Sequence, residues 1–223
     1  LIVTRVAIAG AAGRMGRTLV AACQAHEVLT LSHAFEHPGN EAVGQLAGTL
    51  AGTADPGPVI GDSIDGPAFD VLIDFTAPEA SLANLDYCAK SHARMVIGTT
   101  GFDAAQKELI SQTSRDTAVV LAPNMSVGVN ICLKLLEIAA GAFGDDVDIE
   151  IIEAHHRNKV DAPSGTALKM GEVVASTLGR SLDHDGVFSR HGRTGPRQRG
   201  QIGFATVRAA DIVGEHSVWF AGA

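Results

Sequence analysis

The chain has 223 residues, of which 46% are hydrophobic, so it is long enough to bury a core of its own. Only 4% of the residues are aromatic whereas 25 are glycine, which favours an α/β protein with many tight turns over a β-sandwich. The formal net charge of −8 argues against nucleic-acid binding, and no apolar run approaches the roughly 18 residues of a membrane-spanning helix.

The first half alternates short apolar runs with helical patterns. Strands are predicted at Arg5–Ala9, Val28–Phe35, Asp70–Phe75, Arg94–Gly98 and Ala118–Ala122, and helices at Arg14–Ala25, Ala80–Ser91 and Ala104–Thr113. This alternation predicts a parallel sheet with helices on both faces. We therefore expect an α/β, Rossmann-type domain over residues 1–126.

The rhythm changes after about Asn124. Val127–Phe143 predicts one long helix, Asp148–His156 a strand, Gly165–Leu178 a helix and Leu182–Gln201 a long polar loop. Ile202–Arg208 and Glu215–Phe220 alternate like the two strands of a hairpin. Residues 127–223 are thus predicted to form an α+β domain with an open, mainly antiparallel sheet.

The three cysteines, Cys23, Cys88 and Cys132, lie far apart in apolar segments. We expect all three to be buried, reduced thiols. The first residues carry no pattern of a secretory signal, so we expect a cytoplasmic protein.

A glycine-rich motif joins the first predicted strand to the first helix. Its spacing is GxxGxxG, over Gly10, Ala11, Ala12, Gly13, Arg14, Met15 and Gly16. Glycines here allow a tight turn and close approach of the backbone to a pyrophosphate at a helix N-terminus. Glu36 ends the second strand, where an acid can accept hydrogen bonds from the adenosine ribose, which favours NADH; nearby Arg14 leaves NADPH open.

Two further strand ends are candidates for cofactor contact. Gly98, Thr99, Thr100 and Gly101 suit the nicotinamide ribose or amide, although an ordinary strand-to-helix turn explains them nearly as well. Ala122, Pro123, Asn124 and Met125 end the last strand of the domain in the same way.

The densest chemistry lies between Glu153 and Thr166. His155, His156, Arg157 and Lys159 fall within five residues, and in an extended segment His155, Arg157 and Lys159 share one face. Ser164 is the predicted N-cap of the next helix, whose first N–H groups at Gly165 and Thr166 would receive a carboxylate. A small polycarboxylate substrate follows. Two alternatives remain: a metal site at the histidine pair, near which the sequence has no cysteine or third histidine, and a solvated structural cluster.

These residues resemble the 4-hydroxy-tetrahydrodipicolinate reductase family, formerly called dihydrodipicolinate reductase. The central motif runs from Glu153 to Ala167, and the similarity extends from about Arg5 to Phe220. Further matches lie at Val6–Gly16, Ile73–Thr76, Val96–Phe102, Ser126–Asn130 and Ile202–Glu215.

The resemblance implies reduction of a heterocyclic dicarboxylate to tetrahydrodipicolinate by NADH or NADPH, in lysine and diaminopimelate biosynthesis. It implies that His155 is a proton donor or acceptor and that Lys159 is a proton donor. From the residues themselves we expect no metal at this site. The implied substrate contacts are His156, Gly165 and Thr166; the implied cofactor contacts are Gly10 to Met15, Glu36, His37, Gly98 to Thr100 and Ala122 to Met125. It further implies an open mixed sheet in the second domain, through which four copies form a homotetramer.

Two departures from the family qualify these expectations. His37 stands where several relatives carry an arginine for the 2′-phosphate of NADPH, which favours NADH. Relatives usually continue for a few dozen residues past Phe220, so we expect a chain without the family's C-terminal tail. Another two-domain nicotinamide oxidoreductase acting on a small carboxylate and a non-catalytic dinucleotide-binding module are the alternative functions.

Overall fold

The computed structural model describes residues 3–222 of the chain, so the ends of the predicted domains at 1, 2 and 223 lie outside the described residues. The chain separates into two compact units, Leu1–Pro123 and Asn124–Ala223. Within residues 3–222, no helix has both the length and the apolar character needed to span a membrane.

The first unit is built on a six-stranded parallel sheet, as the alternating pattern predicts. The strands lie in the order β3-β2-β1-β4-β5-β6. They are β1 (Thr4–Ala9), β2 (Leu29–Phe35), β3 (Ile60–Gly61), β4 (Val71–Asp74), β5 (Arg94–Ile97) and β6 (Val119–Leu121); the helices are α1 (Arg14–Gln24), α2 (Ala47–Ala51), α3 (Pro78–Ser91) and α4 (Ala104–Thr113).

Helices cover both faces of this sheet, and the residues of its central strands that face them are mostly apolar. On one face, Val20 and Cys23 of α1 pack with Ile8 and Ile60. On the other, Leu85 of α3 and Ile110 of α4 belong to a second buried cluster. All strands are parallel, so their carboxyl ends meet at one edge of the sheet, where such folds bind ligands.

The second unit packs two helices on one face of a four-stranded mixed sheet. Its core contains Ile149, Ile151, Val174, Ile202 and Phe204. The elements are α5 (Val127–Phe143), β7 (Asp148–His155), α6 (Gly165–Thr177), α7 (Leu182–Asp185), β8 (Gly186–Val187), β9 (Ile202–Arg208) and β10 (Glu215–Ala221), with the sheet order β10-β7-β9-β8.

The predicted hairpin of Ile202–Arg208 and Glu215–Phe220 is wrong. β9 pairs in parallel with β7, and β10 pairs antiparallel with the other side of β7. The sheet is consequently mixed, and two of its three pairings are parallel rather than mainly antiparallel. Residues 209–214 step across the carboxyl end of β7, where Ala209 N donates to His155 O. Neighbouring strands are about 5 Å apart, so six residues suffice to pass one strand.

Two smaller expectations are also wrong. Residues 182–201 are not one loop, because they begin with α7 and the short strand β8. Cys23 and Cys88 are buried, but Cys132, on α5, is exposed.

The error at Cys132 follows from the composition of α5, which is apolar on nearly all sides. Val127, Ile131 and Leu135 are exposed there, so hydrophobicity alone does not indicate which side of the helix is buried.

Candidate functional site

The glycine-rich loop has the backbone geometry that a pyrophosphate site requires. Gly10 has a φ of +66°, in the left-handed region. A Cβ on Gly16 would lie 2.1 Å from Gly10 O, so no larger residue fits there. Gly13 is the N-cap of α1, and no side chain among the described residues caps this helix start. The first N–H groups of α1, at the exposed Arg14 and Met15, are therefore free to receive an anion.

Glu36 lies beside this loop at the end of β2. Its Oε1 accepts a hydrogen bond from Ala12 N at 3.0 Å, which joins the acid to the glycine-rich turn. Gly10, Glu36 and His37 line a cavity of about 420 Å³, a size typical of small-molecule sites. Three of the sequence-predicted cofactor contacts are thus brought together on one cavity.

The same cavity has lining residues that the sequence did not single out. They come from the segment after β3, from the β4–α3 junction and from α3 itself, and include Asp62, Ser63, Ile64, Thr76, Ala77 and Asn84. The signal for Thr76 was present, since it follows a predicted strand at the edge where parallel sheets bind ligands.

The second predicted cofactor segment follows β5. Gly98 packs against the Phe75 ring, and a Cβ there would lie 2.0 Å from Phe75 Cε1. The Thr99 hydroxyl is buried: it accepts from Ser81 Oγ at 2.8 Å and donates to Asp74 Oδ1 at 3.2 Å. Thr99 therefore orders its own turn, whereas Thr100 is exposed.

The third predicted cofactor segment falls at the division between the two units. Ala122, directly after β6, is partly buried, and Pro123 ends the first unit. Asn124 and Met125 begin the second unit, where Asn124 Oδ1 accepts from Ser126 N at 2.9 Å and so braces the start of α5.

The second unit holds the predicted proton-transfer residues at the carboxyl end of β7. His155 is the last residue of that strand, and its Nδ1 lies 2.6 Å from Glu153 Oε2. Arg208 of β9 binds both oxygens of Glu153, at 2.8 and 2.7 Å. The sequence places His155, Arg157 and Lys159 on one face of an extended segment. This prediction is wrong, because the strand ends at His155 and the chain turns at Arg157. Lys159 instead forms an ion pair with Asp161 at 2.8 Å.

Glu153 is the electrostatic centre of this group. The side chain is only 1% exposed. Burial acts to raise the pKa of Glu153, but hydrogen bonds from Arg208, His155 and the Ser164 backbone outweigh it and hold the pKa at about 2. Conversely, burial and the nearby His155 lower the pKa of His216. The site thus contains a permanent buried anion and a histidine whose neutral form is favoured.

The start of α6 is arranged as the sequence predicts. Ser164 caps the helix by accepting from Ala167 N at 3.1 Å, and its hydroxyl lies 2.8 Å from His216 Nε2. Gly165 and Thr166 follow in the first turn, and a Cβ on Gly165 would meet only open space. His156 is partly buried, and its Nδ1 has no hydrogen-bond partner among the described residues. The helix start can therefore receive an anionic group.

Glu153, Arg208 and His216 are functional candidates that sequence reasoning did not identify. Glu153 stands two residues before His155, which in a strand places both on one face. That spacing was a usable signal for Glu153. For Arg208 and His216 no local signal exists, because strand pairing alone brings them to β7. Across residues 3–222, no three metal-binding side chains converge.

The chain matches one sequence family in both of its halves. Residues 4–125 match the N-terminal domain of dihydrodipicolinate reductase, and residues 128–223 match its C-terminal domain.

Solved structures of similar proteins have related folds. A dipicolinate-bound dihydrodipicolinate reductase from Paenisporosarcina sp. TG-14 is 25% identical, with a TM-score of 0.75 over 99% of this chain and 84% of that protein. Myo-inositol dehydrogenase from Corynebacterium glutamicum is 19% identical, with a TM-score of 0.55 over 78% of this chain and 56% of that protein. Aspartate semialdehyde dehydrogenase from Candida albicans, solved with NADP, is 12% identical, with a TM-score of 0.58 over 99% and 72%. The last two similarities concern the fold alone.

Proposed function

The chain belongs to the dihydrodipicolinate reductase family, and we propose that His155 and Lys159 carry the proton chemistry of its reaction. It is an NAD(P)H-dependent oxidoreductase of lysine and diaminopimelate biosynthesis. It reduces 4-hydroxy-tetrahydrodipicolinate to tetrahydrodipicolinate: the substrate gains one hydride and one proton and loses one water. The observation that carries the proposal is the hydrogen bond between His155 and the buried Glu153, at the end of a strand in the matched C-terminal domain.

We assign the cofactor to the cavity beside the glycine-rich loop, with the pyrophosphate at the start of α1. When bound there, the nicotinamide supplies the hydride. Glu36 accepts hydrogen bonds from the adenosine ribose, and its charge repels a 2′-phosphate. His37, next to it, supplies no permanent positive charge to offset that repulsion. NADH is therefore the favoured cofactor, with Gly98 to Thr100 and Ala122 to Met125 as further contacts.

Lys159 and His155 have complementary roles in this proposal. The Lys159 ammonium donates the proton that must accompany hydride delivery, and Asp161 at 2.8 Å orients it. His155 Nε2 takes up or returns a proton as water leaves. Because the Lys159 side chain is itself 21% exposed, the lysine can exchange its proton with solvent.

We assign one of the substrate's two carboxylates to the start of α6. N–H groups of Gly165 and Thr166 donate to one carboxylate, helped by the positive end of the helix. His156 donates to the same substrate from the end of β7. The dipicolinate bound to the Paenisporosarcina relative is a planar dicarboxylate of the same class, which supports this assignment.

The open face of the second sheet supports assembly into a homotetramer. Trp219 and Val207 lie on this face and are 58% and 44% exposed. Exposed aromatic and aliphatic side chains on one sheet face mark an interaction surface. Light scattering after size-exclusion chromatography tests the assembly, which Trp219→Asp should disrupt.

We also place the protein in the cytoplasm, since the buried, unpaired Cys23 and Cys88 suit a reducing compartment.

The function is tested by following oxidation of the reduced cofactor while the purified synthase that precedes this reductase in the pathway generates the substrate. We expect synthase-dependent oxidation, faster with NADH than with NADPH. Tight NADH binding without any synthase-dependent oxidation would contradict the catalytic proposal. Faster turnover with NADPH would contradict only the cofactor preference.

A further inference from the structure

The buried carboxylate of Glu153 makes four hydrogen bonds, two at each oxygen. Its Oε1 accepts from Arg208 Nη2 at 2.7 Å and from Ser164 N at 3.0 Å. Its Oε2 accepts from Arg208 Nη1 at 2.8 Å and from His155 Nδ1 at 2.6 Å. Both oxygens are therefore saturated, and each points in a direction set by two donors.

We propose that Glu153 is a positioning residue, which with Arg208 keeps the proton of neutral His155 on Nδ1 and leaves the Nε2 lone pair for the substrate. This inference rests on the proposed role of His155 in proton transfer. A carboxylate only accepts hydrogen bonds, so the ring nitrogen facing it has to be the donor. In a neutral imidazole the other nitrogen is then the acceptor.

Arg208 gives this arrangement its rigidity. It binds Glu153 through two parallel N–H groups, the geometry that orients a carboxylate most strictly. The same Nη2 also donates to Asp161 O at 2.7 Å. One guanidinium thus ties β9 to β7 and to the loop that carries Lys159, so the two proton-transfer residues share a support.

Two neighbours keep the His155 ring in place and its free nitrogen accessible. The His216 ring meets it edge-on, with centroids 5.1 Å apart and planes inclined at 75°. A Cβ on Gly214 would lie only 2.9 Å from His155 Nε2, and the φ of Gly214 is +156°. Glycine at this position therefore avoids a methyl group against the nitrogen that is to meet the substrate.

The proposal can be tested on the unaltered protein. We expect ¹⁵N NMR of histidine-labelled enzyme at a pH where His155 is neutral to report the Nδ1–H tautomer. The His155 signals are assigned by their disappearance in His155→Gln. An Nε2–H tautomer in the wild-type protein would overturn the proposal without recourse to a Glu153 variant.

Glu153→Gln tests the consequence for turnover. An amide nitrogen in place of Oε1 would face Arg208 and Ser164 N, neither of which can accept. In place of Oε2 it would face Arg208 and His155, and only the histidine can reverse its role. We therefore expect the variant to hold His155 as Nε2–H, with kcat reduced on the order of 10²- to 10⁴-fold, as when a histidine's carboxylate partner becomes an amide.

A merely structural role for Glu153 predicts a different pattern. Glu153→Asp keeps a carboxylate, so it should retain the Nδ1–H tautomer and more turnover than Glu153→Gln even if it unfolds more easily. Asp70→Asn is the matched control, because both oxygens of Asp70 also accept hydrogen bonds from one arginine, through Arg5 Nε and Nη2. This pair lies at the amino ends of β1 and β4, away from both proposed sites. We expect it to leave kcat and the tautomer unchanged.

The outcomes separate this inference from the proposed function. Loss of turnover in His155→Gln, with normal turnover and tautomer in Glu153→Gln, would overturn the positioning role alone. Full turnover in His155→Gln would instead overturn the proton-transfer role of His155. Parallel losses of stability and activity in Glu153→Gln and Glu153→Asp, with no change of tautomer, would also overturn the positioning role.

Discussion

Each unit of the chain buries one carboxyl group at the carboxyl end of a central strand, but the two groups have different partners. Asp74, 0% exposed at the end of β4, is bound by uncharged donors: the Thr76, Ser81 and Thr99 hydroxyls, Thr76 N and the Asn84 amide. Glu153, near the end of β7, is bound by Arg208 and by His155, a side chain that can change its protonation.

In the proposed function, this difference separates the site that holds the cofactor from the site that moves a proton. Uncharged donors order the turns around Asp74, one of which carries Thr76 of the cofactor cavity. Because these donors do not titrate, the hydrogen bonds do not depend on the protonation state of a partner. The partners of Glu153 couple its charge to the state of His155. Burial alone therefore does not mark a candidate proton-transfer site, whereas a titratable partner at hydrogen-bond distance favours one.

The largest effect should come from removing Lys159, the proposed proton donor of the second unit. We expect Lys159→Ala to lower kcat about 10²- to 10⁴-fold, because general acid catalysis typically contributes that much. The dissociation constant for NADH should stay within about twofold, since Lys159 is not among the proposed cofactor contacts. Steady-state kinetics and fluorescence titration measure the two quantities.

Lys169→Ala is the matched control for Lys159→Ala. Lys169 lies on α6 and pairs with Glu172 on an exposed surface, so its removal should change neither quantity. An equal loss of NADH affinity in Lys159→Ala would contradict the division of labour between the two units.

The next largest effect is on stability in acid. The folded protein holds the pKa of Glu153 at about 2, below its ordinary value of 4.5. The charged Glu153 carboxylate therefore contributes stability to the native state, and this contribution is fully present above pH 4.5. That contribution, up to about 3 kcal/mol, should be lost as the pH falls from 4.5 towards 2. Urea unfolding of wild type and Glu153→Gln should therefore differ most at neutral pH and converge in acid. A difference independent of pH would show that the native carboxyl group is not held in its charged form.

The sequence predicted the first unit better than the second for a physical reason. Parallel strands buried on both faces appear as apolar runs between helices, and their order follows the regular crossovers. In the second unit, alternation indicates which face of a strand is buried but not which strands are neighbours. The predicted hairpin failed on that point, and strands of two residues, β3 and β8, leave too short a pattern to detect.

The same limit applies to the chemical group around His155. His155 and Lys159 were candidates from sequence because histidines and cations cluster within a few residues there and match the central motif of the family. Arg208 is 55 residues from Glu153, and the two meet only through the register in which His155 pairs with Arg208. A residue brought in by strand pairing cannot be assigned to a site before the order of the strands is known.

A smaller effect is expected at the cofactor cavity of the first unit. Glu36→Ala removes the acceptor for the ribose hydroxyls and releases Ala12 N, so we expect the KM for NADH to rise about tenfold, the equivalent of one good hydrogen bond. The KM for NADPH should change less, because lost repulsion of the 2′-phosphate offsets the lost contacts. Glu41→Ala, at an exposed neighbouring site, is the control. A larger rise for NADPH would contradict the ribose role.

The smallest effect should come from Asp74→Asn, and it tests the opening contrast most directly. Oδ1 of Asp74 receives the hydroxyl and backbone donors, whereas Oδ2 receives only Asn84 Nδ2 at 2.8 Å. An amide nitrogen in place of Oδ2 would meet Asn84, whose own amide can turn to present its oxygen. We therefore expect a loss of less than about 1 kcal/mol in unfolding free energy and little change in kcat.

Asp74→Ala is the comparison variant. It leaves the hydroxyls without their acceptor and should lower the unfolding free energy by about 3 kcal/mol. If Asp74→Asn instead reduced kcat as strongly as Glu153→Gln, charge would matter equally in both units, and uncharged partners would not distinguish the structural anchor from the proton-transfer site.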